Sequence, residues 1–238
     1  MTTQTETANA RSQLFQLLAL GFAHPVPAFH RVLADESFSQ ALTLAATQAN
    51  CGSHFIHGEP ADFADFEADY IHLFQMGRRG KPTVSLNAAD HKEINQEQGR
   101  PEFLLLYTGW YKHFGLRINQ DSGANELPDH LVCQLEFMSW LAHLEHAKRE
   151  EPGLHRGYQS AQRDFLKRHL QPFAEVLVAE LQHRADQPRV NPFYLSLAAN
   201  MLEVIDSILE CLDGQLTETS HIDTAGESDQ IATVNLWG

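Results

Sequence analysis

Cysteine and positive charge are the scarce commodities of this sequence. Its three cysteines, Cys51, Cys133 and Cys211, are odd in number, far apart and set in or beside apolar helical stretches. Neither a disulfide framework nor a C-x-x-C metal or redox motif fits that pattern, so they read as small core residues, with Cys51 the most exposed. Lys and Arg number 17 against 31 Asp and Glu, a net charge of 17 − 31 = −14. Nucleic acid is a poor partner for such a balance, while a basic peptide is drawn in. About 18 consecutive apolar residues occur nowhere, and the opening MTTQTETANARSQ has no apolar run before a cleavage-like site, so a cytoplasmic protein without stable membrane association is expected. Missing too are the Gly-x-Ser-x-Gly turn of a nucleophile elbow and a Gly-Lys-Ser/Thr phosphate loop. No run of alternating apolar residues between turns marks a strand. An all-α fold is left: one bundle-like domain of about eight to ten helices over residues 1–212, then an acidic, flexible tail over 213–238.

The most informative stretch is ELPDHLVCQLEFMSWLAHLE, Glu126 to Glu145. Pro128 suits a first helical position, and Asp129 behind it would place negative charge at the positive end of the helix dipole. At about 100° per residue the apolar side chains point to almost every side, which predicts a buried central helix. Asp129, Glu136 and His143 share one narrow wedge, with Ser139 beside it and His130 alone on another side. The wedge is either a solvent-facing seam or a site. It cannot hold a single ion, because seven residues advance a helix by about 10 Å.

Residues 59–76 read as an amphipathic helix with Phe63, Phe66, Tyr70, Leu73 and Phe74 on one face and Glu67 at its edge, either as a helix-packing acceptor or as a binding residue. Residues 77–101 form a long loop with one helical turn near Ala88 to Ile94; its Arg78-Arg79 lacks the following apolar segment of an export signal. Helices are expected over 8–23, over 102–114 with Gly115 as the stop, over 154–170 and 172–184 as two outer elements, and from Asn191-Pro192 to Asp213-Gly214. A two-metal carboxylate site would need two Glu-x-x-His pairs; the chain offers Glu180 with His183 and, approximately, Asp69 with His72.

Four motifs in order carry a resemblance: Glu67-Ala-Asp-Tyr70-Ile-His-Leu73-Phe74, Glu126-Leu-Pro128-Asp129-His130-Leu131 with Glu136-Phe137-Met138, Asp164-Phe-Leu-Lys-Arg168-His169-Leu170, and Asn191-Pro192-Phe193-Tyr194. The chain resembles the TorD, DmsD and NarJ family of maturation chaperones for molybdenum enzymes, and its third motif is most similar to members serving the type II dimethyl sulfoxide reductase group. The resemblance implies an all-helical cytoplasmic protein, monomeric or weakly dimeric, that is not an enzyme and carries no cofactor. Its partner would be the leader or N-terminal segment of an apo catalytic subunit, held until the molybdopterin cofactor is inserted. By position, Glu67, Tyr70, Phe74, Pro128, Asp129, His130 and Glu136 inherit the peptide site. The loop after Phe74 departs from the family pattern, with Pro82 followed by Leu86 and Asn87.

Overall fold

The computed structural model describes residues 4–52, 62–77, 80–95, 99–116 and 126–223. The first residues of the expected 59–76 helix, Arg78-Arg79 and the tail beyond 223 lie outside them. Among the described residues the secondary structure is helical throughout, with a single isolated β-bridge between Asn87 and His130.

The helices are α1 (Gln4–Phe22), α2 (Pro27–Ala34), α3 (Ser37–Gln48), α4 (Phe63–Tyr70), α5 (Lys92–Asn95), α6 (Arg100–His113), α7 (Leu131–Ala147), α8 (Pro152–Phe165), α9 (Gln171–His183) and α10 (Pro192–Asp223). α7 is the centre. Leu131, Leu135, Met138, Leu141 and Ala142 have no solvent exposure, and α7 lies along α1 in the most extensive helix pair, with α8 on another side. On α1, Leu14, Phe15, Leu18 and Phe22 are all fully buried in the same core. α10 closes the core with Tyr194, Ala198, Met201, Val204 and Ile205 at helical spacing. It approaches α1 so closely at Gly21 that a Cβ there would sit 2.7 Å from a Leu197 methyl. No single described helix is long and apolar enough to cross a membrane.

Several boundaries differ from the sequence reading. The 154–170 and 172–184 segments are one continuous helical path, because α8 passes into α9 through a π turn at Leu166–Leu170. Pro172 lacks an N–H and its ring crowds the carbonyl of residue 168, and the widened turn just before it accommodates both effects without a break. α4 likewise runs on as a π turn over Ile71–Gln75. α10 does not stop at Asp213-Gly214 but continues to Asp223, since a helical glycine costs only about 1 kcal/mol and Leu212 and Leu216 are buried on either side of it. Cys51 is not the exposed cysteine: it is 4% exposed, tucked in after Asn50 takes a left-handed φ of 58°, while Cys133 and Cys211 are half-buried.

Candidate functional site

α7 begins at Leu131, three residues later than its Pro-Asp signal suggests. Pro128 and Asp129 form a turn instead, closed by the His130 amide donating to the Leu127 carbonyl at 2.9 Å. His130 is the N-cap: its Nδ1 accepts from the Val132 amide at 3.3 Å. The turn is pinned from both sides. The Tyr111 hydroxyl donates to the Pro128 carbonyl at 2.6 Å, and the Gln134 amide donates to the Asp129 carbonyl at 2.8 Å.

Opposite the turn runs the loop that carries the departure from the family pattern. Leu131 N–H donates to the Leu86 carbonyl at 2.8 Å, Ala88 N–H to the Asp129 carbonyl at 3.2 Å, and Ala89 N–H to Asp129 Oδ2 at 2.8 Å. Asp129 is fully buried. Its carboxylate therefore holds the loop to the head of α7 and does not continue a helix wedge; burial, opposed by the Ala89 bond, raises its pKa. His91 extends the same attachment to α9, with Nε2 2.9 Å from the Ser85 carbonyl and Nδ1 3.2 Å from Glu180 Oε1. The wedge as drawn on the helical wheel is thus divided: Glu136 and His143 are exposed, whereas Ser139 is buried against Ser12.

At the rim of this turn stand two carboxylates, Glu126 and Glu136. Desolvation raises both pKa values, and for Glu126 the charge of Glu136 adds to it. Between them the Cys133 thiol is pushed up to about 12, by burial and then by Glu126 and Glu136. His130 Nδ1 lies 3.6 Å from Glu126 Oε2, but that nitrogen already accepts a backbone N–H, and burial lowers the ring to about 4. The imidazole is neutral, so it does not neutralise the rim. Neither carboxylate has a Lys or Arg partner among the described residues.

Glu67, Tyr70 and Phe74 form a second group on α4 and its π turn. Tyr70 is buried and donates to the Phe22 carbonyl at 3.1 Å; Phe74 is buried edge-on against Phe22, Tyr70 and Tyr194. Glu67 is half-exposed and sits 3.1 Å from His24 Nε2. Burial, and then the charge of Glu126, raise the Tyr70 phenol. Glu126 is the rim residue missing from the sequence-derived set, although it opens the same Pro-Asp-His motif.

Sequence reasoning also missed a buried polar centre. Arg11 and Glu145, 2% and 1% exposed at their side chains, pair at 2.6 Å, and Glu145 further accepts from Gln159 at 3.0 Å and Gln162 at 2.7 Å. The proposed metal ligands are otherwise engaged: Glu180 faces His91 and Arg184, and Asp69 faces Arg189 and Asn191. Among the described residues no three His, Cys, Asp or Glu side chains converge as metal ligands.

Residues 33–179 match the model of the family described as nitrate reductase delta subunit. The dimethyl sulfide dehydrogenase assembly chaperone protein of Rhodovulum sulfidophilum is 37% identical over 237 residues, covering 97% of this chain and 93% of the relative. The perchlorate reductase assembly chaperone protein of Dechloromonas aromatica (strain RCB) is 29% identical over 209 residues, 84% of this chain and 89% of the relative. The chlorate reductase assembly chaperone protein of Ideonella dechloratans is 41% identical over 104 residues, 44% of this chain and 51% of the relative. No solved structure matches the chain at comparable significance.

Proposed function

The chain belongs to the nitrate reductase delta subunit family, and from that membership we propose that it is the assembly chaperone of a molybdenum oxidoreductase, binding the N-terminal leader of the apo catalytic subunit at the head of α7. It is a chaperone and not a catalyst. The full-length similarity to a named assembly chaperone supports the role, and the acidic rim supports the place.

Glu126 and Glu136 are solvent-exposed and lack a cationic partner among the described residues, so both carboxylates are open to a basic segment. A basic segment supplies the missing charge. A leader with a basic part matches that rim, and the net charge of −14 steers such a segment inward, while Tyr70 and Phe74, both buried, act by packing α4 and its π turn against Phe22 of α1 and Tyr194 of α10. Pro128, Asp129 and His130 hold the rim in shape, with Glu67 at its α4 side.

The test is calorimetric titration with the N-terminal peptide of a molybdenum oxidoreductase catalytic subunit from the same organism. Wild type should bind, and Glu126→Gln with Glu136→Gln should weaken binding by roughly 1.5–3 kcal/mol, on the order of tenfold or more, with a shallower salt dependence. No heat with that leader or with the whole apo subunit would refute the reading.

A further inference from the structure

The two sides of α6 differ sharply. Its inner side is engaged throughout: Tyr107 and Trp110 meet Phe165 of α8 edge-on, and Tyr111 lies against Phe137 of α7 and donates to the Pro128 carbonyl. Its outer side is exposed from Glu102 to Lys112 and apolar at the middle, where Leu105 is 68% and Leu106 38% exposed. Gly109 continues that stripe one turn after Leu105. A glycine inside an exposed helix weakens the helix, and a Cβ at Gly109 would meet nothing within 4 Å among the described residues, so no contact within the chain calls for it. The result is a hollow one turn away from a projecting leucine.

We propose that this face docks a second copy of the chain, α6 against α6, antiparallel about a two-fold axis level with Tyr107. The stripe is self-complementary about that level. Glu102 and Lys112 stand five residues to either side of it, and Leu105 and Gly109 two residues to either side. An antiparallel pair therefore sets Glu102 of each copy toward Lys112 of the other, and Leu105 of each toward the hollow at Gly109 of the other. Both charges are free to do so: Glu102 and Lys112 are exposed and form no ion pair with a described residue, whereas the neighbouring Arg100 is held by Asp90. The flanking sequence outside the described residues keeps the same polarity, with Glu97 three residues before α6 and Arg117 four after it, and Asp121 farther on. A parallel pair would bring like charges together at both ends. A basic leader would meet Lys112 at one end of the stripe, where a second copy presents Glu102. α6 is about 20 Å long, too short to supply alone the roughly 800 Å² per partner of a standard interface, and two chains of net charge −14 repel each other. The dimer is accordingly weak and reversible.

Sedimentation velocity on the full chain, from micromolar to millimolar concentration at about 0.15 M salt, tests the pairing without any client. Wild type should show a concentration-dependent, reversible monomer–dimer equilibrium. Leu105→Lys, at an exposed position, should abolish it and leave the melting temperature unchanged. Glu102→Lys and Lys112→Glu should each weaken self-association roughly tenfold, since each turns both cross-pairs into like charges. Mixed together, those two variants should form a heterodimer as tight as the wild-type dimer, because every cross-pair is then opposite in sign. That recovery also shows that both variants are folded. A wild type that stays monomeric at millimolar concentration, a Leu105→Lys protein that dimerises like wild type, or a mixture no tighter than either variant alone overturns the proposal. So does loss of leader binding in Leu105→Lys where wild type is monomeric, which would give the face to the client instead.

Discussion

Asp129 is the residue through which stability and binding can be separated most sharply. Its Oδ2 accepts the Ala89 amide at 2.8 Å in a fully buried position, and its Oδ1 has no hydrogen-bond partner among the described residues. Asp129→Ala leaves the Ala89 N–H buried and unpaired, a loss of about 1–3 kcal/mol, partly offset by removal of a desolvated charge. A net destabilisation of about 2 kcal/mol is expected. Asp129→Asn keeps a carbonyl oxygen for Ala89 and discards the charge, so its cost stays within about 1 kcal/mol. The pH dependence has a definite sign. The folded-state pKa of Asp129 is raised above its ordinary 3.8, so between 3.8 and the raised value the folded protein binds more protons than the unfolded chain. Wild type therefore gains stability relative to Asp129→Asn as pH falls through that window. Urea unfolding of the three proteins at several pH values, hydrogen exchange at Ala89 and leader titration on the same samples measure each part. Leader affinity should fall for Asp129→Ala, with faster exchange at Ala89, and stay near wild type for Asp129→Asn. A tenfold loss of affinity in Asp129→Asn with stability intact would refute the reasoning, because it would mean that the buried charge itself meets the leader.

Two further outcomes follow from buried polar groups. Arg11→Ala strands the Glu145 carboxylate in the core and should cost about 3–5 kcal/mol, on the order of 10 °C in melting temperature, whereas Arg11→Leu with Glu145→Leu should recover most of it in thermal unfolding. His130 is lowered to about 4 from an ordinary 6.5, so the unfolded chain takes up its proton first; stability is complete above about pH 6.5 and is lost as pH falls toward 4, by about 3 kcal/mol at most. His130→Asn keeps an N-cap acceptor and should flatten that part of the profile, with the similarly lowered His169 present in both proteins.

The parts of this protein that were legible in its sequence are those encoded by local periodicity. Apolar residues on every side of 131–144 demanded a buried helix, and α7 is one; the absence of alternating apolar runs demanded helices, and the described chain forms them. Helix starts and stops were less legible where a tertiary contact competes with a local signal. Pro128 and Asp129 carry a helix-start signature, yet the loop at Leu86 to Ala89 takes the Asp129 groups, and the cap passes to His130. Gly214 carries a stop signature, yet burial of Leu212 and Leu216 outweighs it. The carboxylates divide in the same way. Glu67, Glu136 and the Pro-Asp-His turn could be singled out by position in motifs, but Glu126 became a rim residue only when the turn brought it to His130 and Cys133. Nothing along the chain announces that Glu145 pairs with Arg11, because the partners are 134 residues apart and each looks like an ordinary surface charge. The sequence by itself determined which segments are helical and which faces are apolar, since both depend on neighbours within a few turns. Tertiary structure alone decided which charges are buried, paired or left waiting for a partner, since a charge's energy depends on what the fold sets within a few ångströms of it.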